Sequence, residues 1–127
     1  MGSAAPTHFD QAHCVKQTDR AIAREEASLG RWLWQQGIKY GVADYWMAYR
    51  LSFLFAEAPI VVPLNEGQDR YPPYRRAFRQ QRHVAYIFHP SRPAATAKDW
   101  EPRLKKTCAQ MQRSEIDGFT VLLCDRK

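Results

Sequence analysis

The most apolar stretch of this 127-residue chain runs from Tyr40 to Leu64 and limits what the chain can fold into. It reads YGVADYWMAYRLSFLFAEAPIVVPL within a sequence that is otherwise polar and basic. A membrane-spanning helix needs about 20 apolar residues with few or no charges. This stretch contains Arg50 and Glu57 and is interrupted by two prolines. We therefore predict a buried helix followed by a buried strand rather than a membrane span.

Chain length and composition indicate one globular domain. The apolar fraction of 45% and the charged fraction of 25% are ordinary for soluble proteins, and 127 residues can bury one core. We expect residues 19–127 to form a single domain and residues 1–18 to be a flexible N-terminal segment. The three cysteines, Cys14, Cys108 and Cys124, have no CxxC spacing, so neither a zinc site nor a disulfide framework is expected. Cys108 and Cys124 fall at apolar positions and are predicted to be small core residues.

Hydrophobic periodicity predicts helices and strands in strict alternation. The predicted elements are a helix capped by Asp19, a strand over Ile38–Ala43, a helix capped by Asp44, a strand over Pro59–Leu64, a helix opening at Pro72 and Pro73, a strand from His83 to Pro90, a helix capped by Asp99 and a strand over Phe119–Cys124. This order predicts an α/β domain of three layers, with a mostly parallel four-stranded sheet and helices on both faces. The expected strand order is 2-1-3-4, as in flavodoxin-like sheets.

Two details of the helices follow from local rules. Starting the fourth helix after Thr96 would place Pro102 in its second turn at a cost of about 3 kcal/mol, so Asp99 is the predicted cap. The second helix is apolar nearly all round, so we expect Trp46 to be buried. Replacing Trp46 with alanine would then cost about 3 to 5 kcal/mol.

Polar side chains follow each predicted strand. Ligands of open parallel sheets bind beyond the carboxyl ends of the strands, so these side chains should gather at one edge. The residues concerned are Asp44, Asn65, Glu66, His89 and Asp125, with Arg70, Tyr71 and Tyr74 following the second strand closely. Each also has a structural explanation, because Asp44 as a helix cap would contribute about 1 kcal/mol and His89 could simply end a strand.

The basic charge is concentrated between Arg70 and Arg82. The segment RYPPYRRAFRQQR holds five arginines and no acid in a chain of net charge +6. Such a patch could bind nucleic acid, anionic lipid or a phosphorylated ligand, or it could be a solvated helix face. The chain has no P-loop, GxGxxG, GxSxG or HExxH motif, so we predict no catalytic residue, no metal site and no cofactor.

The run ADYWMAYRLSFLF, followed by an apolar strand and DRYPPY, resembles a known family. It is similar to the soluble C-terminal segment of bacterial multi-pass membrane glycosyltransferase-like proteins that use polyprenyl-phosphate sugars. The resemblance covers Leu29 to Tyr74 and implies an extracytoplasmic accessory domain. The catalytic carboxylates of that family belong to loops between membrane spans, so the resemblance transfers none to this chain. It implies that a group of residues acts together, namely Asp44, Tyr45, Trp46, Tyr49, Arg50, Arg70 and Tyr71.

Three functions are therefore considered. The leading hypothesis is a non-catalytic domain on the periplasmic face of the inner membrane, part of a longer membrane protein, that contacts its parent membrane domain, a glycan or a lipid-linked sugar. A stand-alone relative would instead be cytoplasmic. The first alternative is a nucleic-acid-binding module that uses the Arg70–Arg82 segment, with Tyr71 and Tyr74 stacking on bases. The second is a small hydrolase or transferase that uses Asp44 and His89. The candidate ligand contacts are Asp44, Tyr45, Arg50, Asn65, Glu66, Arg70, Tyr71, Tyr74 and His89.

Overall fold

A computed structural model describes residues 23–92 and 95–127. The first helix, α1, is described over 23–35. The other elements are β1 Tyr40–Ala43, α2 Tyr45–Leu54, β2 Ile60–Pro63, a 3₁₀ turn Glu66–Gln68, α3 Pro72–Arg79, β3 His83–Phe88, α4 Ala97–Lys105, β4 Cys108–Ile116 and β5 Phe119–Arg126. The predicted cap at Asp19 and the predicted N-terminal segment 1–18 lie outside the described residues.

Among the described residues, the sheet has five strands in the order β2-β1-β3-β5-β4. β1 runs parallel to both β2 and β3, with Tyr40 beside Ile60 and Gly41 beside Ala85. β5 runs antiparallel to β3 and to β4. The prediction of a mostly parallel four-stranded sheet is therefore wrong: one half of the sheet is parallel and the other half is antiparallel.

A tight hairpin explains the difference. β4 and β5 are joined by Asp117 and Gly118, which both have positive φ, at 47° and 86°. A two-residue Asp-Gly connection of this kind matches the twist of antiparallel strands and returns the chain beside itself. The prediction placed no strand between the helix capped by Asp99 and Phe119, where the chain in fact forms β4.

Helices cover both faces of the sheet. On one face, α1 and α2 pack against the sheet through Leu29, Leu33 and Leu51, which are fully buried. On the other face, Phe78 of α3 and Leu104 of α4 pack against the sheet. Each face of the sheet thus carries one cluster of buried apolar side chains. Burial of these side chains holds the layers together.

Trp46 is not part of this core. The buried face of α2 consists of Met47, Ala48, Leu51 and Ser52, whereas the Trp46 side chain is 61% exposed. The prediction of a buried Trp46 is wrong because α2 has one neighbouring layer, the sheet, and its opposite side faces solvent. The predicted cost of several kcal/mol for Trp46→Ala has no structural basis, since little packing would be lost.

The start of α4 also differs from the prediction. Thr96 is the N-cap, and its hydroxyl accepts a hydrogen bond from the Asp99 N–H at 3.2 Å. Pro102 consequently lies inside the helix. This start buries Ala97, which is 7% exposed, on the same side as Leu104. The cap and this added packing stabilise a start that the proline alone disfavours.

A disulfide joins Cys108 of β4 to Cys124 of β5. Both residues are buried, as predicted for core residues, but the expectation that the cysteines form no disulfide is wrong. A shift of register between Cys108 and Gln110 accompanies the approach of the two cysteines. In the described part of the chain, none of the helices is long and apolar enough to cross a bilayer.

Candidate functional site

A cleft of about 490 Å³ opens at the carboxyl ends of β1 and β3, beside the β4–β5 hairpin. We call it the upper cleft. It is lined by Glu26, Trp46, Met47, Arg50, His89, Ser91, Arg92 and Phe119. Its place agrees with the rule that ligands of such sheets bind beyond the strand ends.

Trp46 provides the aromatic wall of the upper cleft. It is the second residue of α2, and its ring packs edge to face against Tyr45 with the centroids 5.0 Å apart. Met47, the next residue, is buried and anchors this turn of the helix in the core. Trp46 is therefore held on a rigid element while 61% of its side chain remains open to a ligand.

Glu26 and Arg50 form a bidentate ion pair beside this wall. The Arg50 Nε donates to one Glu26 carboxylate oxygen at 2.7 Å, and the Arg50 Nη2 donates to the other at 3.0 Å. The Glu26 side chain is only 5% exposed, whereas that of Arg50 is 52% exposed. The pair joins α1 to α2 and leaves part of the guanidinium accessible at the cleft.

Asp44 and Arg92 form the second charged pair. The Asp44 Oδ2 lies 3.3 Å from the Arg92 Nε. The same oxygen is buried and accepts no hydrogen bond from any described residue. Asp44 occupies the N-cap position of α2, but its side chain does not cap the helix within the described chain, so the predicted capping role is not observed. The carboxylate instead holds the Arg92 guanidinium at the cleft wall.

The hydrogen bonds of His89 determine the tautomer of its neutral imidazole. The Ser91 backbone N–H donates to the His89 Nδ1 at 3.1 Å, and the Ser91 Oγ lies 2.8 Å from the same nitrogen. Since Nδ1 accepts, the neutral ring carries its proton on Nε2. His89 therefore presents an N–H donor at the wall of the upper cleft, where its ring also packs on Phe119 with a centroid separation of 4.7 Å.

Asp44 and His89 have different partners in the structure. Among the described residues, Asp44 is paired with Arg92 and His89 with Ser91, and no hydrogen bond links Asp44 to His89. A general base must reach the proton that it abstracts from its substrate, directly or through one water. The hydrolase or transferase hypothesis therefore stays a prediction.

Tyr45, Tyr49 and Arg70 form a compact cluster next to the upper cleft. The Arg70 guanidinium donates to the Tyr45 hydroxyl from Nε at 3.1 Å and from Nη2 at 2.7 Å, and it lies 4.5 Å from the centre of the Tyr49 ring. The Tyr49 hydroxyl donates to the Gln68 carbonyl at 2.9 Å and accepts the Arg70 backbone N–H. The cluster fastens the segment before α3 onto α2.

Burial raises the pKa of Tyr49 above its ordinary value of 10.0. Loss of solvation is the largest cause, because it disfavours the phenolate, while the hydrogen bond from the Arg70 backbone acts in the opposite direction. The hydroxyl therefore stays protonated at neutral pH and keeps donating to the Gln68 carbonyl.

The remaining predicted contacts lie away from the upper cleft. The Asn65 side chain accepts the Gly67 N–H at 2.9 Å, which stabilises the turn after β2. Glu66 pairs with Arg79. Tyr71 and Tyr74 pack edge to face with centroids 4.6 Å apart, and Tyr74 is partly buried against the core. The structure therefore brings Asp44, Arg50 and His89 together and separates them from these four residues.

The arginines between Arg70 and Arg82 do not form one basic surface. Arg75 is 7% exposed and donates to the Asp69 carboxylate at 2.9 and 2.7 Å, so it does not belong to a solvated helix face. Arg79 pairs with Glu66, and Arg70 is held by the tyrosines. Three of the five arginines are thus held by other residues of the chain, and carboxylates offset the charges of Arg75 and Arg79. The segment therefore carries less unpaired positive charge than its sequence suggests.

Asp125 lies at the opposite end of the strands from the upper cleft. It pairs with His83 at the beginning of β3, because β5 runs antiparallel to β3. The prediction that Asp125 joins the other strand-end residues is wrong for this reason.

Several cleft residues were not among the predicted contacts. Ser91 and Arg92 follow β3 directly, so the strand-end rule that selected His89 would also have found them. Glu26 and Phe119 come from elements whose position depends on tertiary packing, and no local signal marks them. Comparison with known proteins adds no relative, since no family model matches this chain and no similar curated protein or solved structure is found.

Proposed function

We propose that this chain is a non-catalytic accessory domain that binds a glycan or a lipid-linked sugar in the upper cleft. One observation carries the proposal: the largely exposed Trp46 ring lies beside the hydrogen-bonding groups of His89, Ser91 and Arg92. Sugars present an apolar C–H face together with hydroxyl groups, so an aromatic wall and nearby donors complement both parts. The rigid surroundings of these side chains favour a preformed site.

The proposed place of this domain is the extracytoplasmic side of the inner membrane, as part of a longer glycosyltransferase-like membrane protein. Two observations support it. The ADYWMAYRLSFLF and DRYPPY motifs resemble the soluble segment of such proteins. The Cys108–Cys124 disulfide is of a kind that persists in oxidising compartments such as the periplasm and is rare in the cytosol. The parent membrane domain is then a second partner.

A glycan array followed by calorimetric titration of the best-binding oligosaccharide tests the proposal. The array should include bacterial envelope glycans and a sugar linked through phosphate to a short prenyl chain. We expect Trp46→Ala to weaken binding about fivefold or more, since the comparable stacking of a nucleic-acid base on an aromatic ring contributes on the order of 1 to 3 kcal/mol.

Trp34→Ala is the matched control for this titration. Trp34 is 62% exposed, nearly the same as Trp46, but it lies outside the upper cleft. Its replacement should leave the affinity unchanged. Equal losses in the two variants, or no binding across the array, would refute the proposed function.

A further inference from the structure

The outer edge of β4 is the feature that the proposed function leaves unused. β4 spans Cys108–Ile116, is nine residues long and lies at the end of the sheet. Among the described residues it pairs only with β5. An edge of this length presents a row of backbone donors and acceptors that can pair with another strand.

The hairpin determines which residues of β4 point outward. The two-residue turn places Ile116 opposite Phe119, and such a turn closes on a hydrogen-bonded pair. Hydrogen-bonded and non-hydrogen-bonded pairs then alternate along an antiparallel ladder. The backbone groups of Met111, Arg113 and Glu115 consequently face away from β5.

Arg113 and Glu115 also share one face of the strand. Their side chains are 54% and 61% exposed, and the Arg113 Nε donates to Glu115 at 3.1 Å. Arg113 additionally lies 3.6 Å from Glu101 of α4. These are surface pairs that can exchange partners at little cost.

We propose that two copies of this chain pair antiparallel through β4, about a two-fold axis at Ser114. This register places Arg113 of each copy opposite Glu115 of the other, and it does so twice by symmetry. Both positions face outward, so each pair can exchange both of its backbone hydrogen bonds. The contact extends the five-stranded sheet of each copy into one continuous sheet of the pair.

Charge selects this register over its neighbours. With the axis at Arg113, two arginines would stand opposite each other, and with the axis at Glu115, two glutamates would. Like charges directly opposite each other destabilise a strand pair, whereas opposite charges stabilise it. The same two charges therefore oppose indiscriminate pairing of this edge and specify a single arrangement.

Sedimentation equilibrium on the full chain, from about 5 to 500 µM, tests the proposal. We expect a reversible dimer. Arg113→Glu and Glu115→Arg should each weaken it about tenfold or more, because each turns both symmetric pairs into like-charge pairs. The double variant Arg113→Glu/Glu115→Arg should restore the dissociation constant to within about threefold, since the complementary pattern returns.

A mixture of the two single variants provides the most specific test. The Arg113→Glu variant carries two acids at these positions and the Glu115→Arg variant two bases, so an equimolar mixture should form a heterodimer although each variant alone is weakened. Arg76→Glu, at an exposed position on α3, is the control that changes net charge equally and should leave the dimer intact. Circular dichroism melts confirm that each variant is folded.

Two results would overturn the proposal. The first is a wild-type chain that stays monomeric over the whole concentration range. The second is a dimer that responds to Arg113→Glu no more than to Arg76→Glu, since that dimer would use another surface. Neither result decides whether a glycan binds in the upper cleft, because Arg113 and Glu115 are not among the residues that line it.

Discussion

Glu26 shows most clearly how one residue depends on one partner. Its carboxylate is almost completely buried, and its two oxygens are satisfied by the Arg50 guanidinium. A buried charge that loses its partner is costly, because water cannot replace the lost hydrogen bonds. The pair also fixes α1 against α2 at the wall of the upper cleft.

Arg50→Ala should therefore lower the free energy of unfolding by about 1 to 3 kcal/mol, less than for a fully buried pair because Arg50 is half exposed. Urea denaturation measures the effect. Adding Glu26→Gln to Arg50→Ala should recover part of the loss, since the unpaired charge is then removed. If Arg50→Ala were as stable as the wild type, the ion pair would not contribute to the fold.

The helices and strands differ in how well local sequence predicts them. β1, β2, β3 and the proline-led start of α3 follow from short-range patterns, and the structure confirms them as elements. β4 could not be recognised in this way, because most of its residues are polar and exposed and only its edge position makes them a strand. The Asp117–Gly118 pair was the available signal for the hairpin.

The hairpin depends on its disulfide as well as on its turn. The cross-link closes a loop with a sequence separation of 16 residues. A loop of this length restricts the unfolded chain by an amount that corresponds to about 3 kcal/mol. Both cysteines also belong to the part of the core that lies between the sheet and the helices α3 and α4.

Reduction with dithiothreitol, or the double variant Cys108→Ala/Cys124→Ala, should lower the free energy of unfolding by about 3 kcal/mol in denaturant titrations. The double variant itself should not respond to dithiothreitol, which separates loss of the cross-link from other effects of the reductant. A wild-type chain whose unfolding is the same with and without reductant would contradict this account.

At the scale of the whole molecule, strand direction decides which predicted contacts meet. The parallel strands β1 and β3 deliver Asp44 and His89 to the same edge, as the strand-end rule requires. The antiparallel β5 delivers Asp125 to the opposite edge. Sequence patterns locate strands but do not show their direction, so only some of the residues that follow the strands lie at the same end of the sheet.

Helix orientation accounts for the rest of the difference. The all-round apolar pattern of α2 did not indicate which side meets the sheet, and only the fold shows that Trp46 faces outward. The charges behave similarly, because arginines that look like one basic segment in the sequence are distributed among separate partners by α3 and the turn before it.

In the proposed function, the ligand binds beside Trp46, at the edge where β1 and β3 end. Nuclear magnetic resonance titration of the isotopically labelled chain with the best-binding oligosaccharide locates this contact. We predict that the largest changes in chemical shift fall on the Trp46 indole N–H, the His89 ring and the backbone N–H groups of Ser91 and Arg92. Changes centred on His83 and Asp125 at the opposite edge would contradict the account.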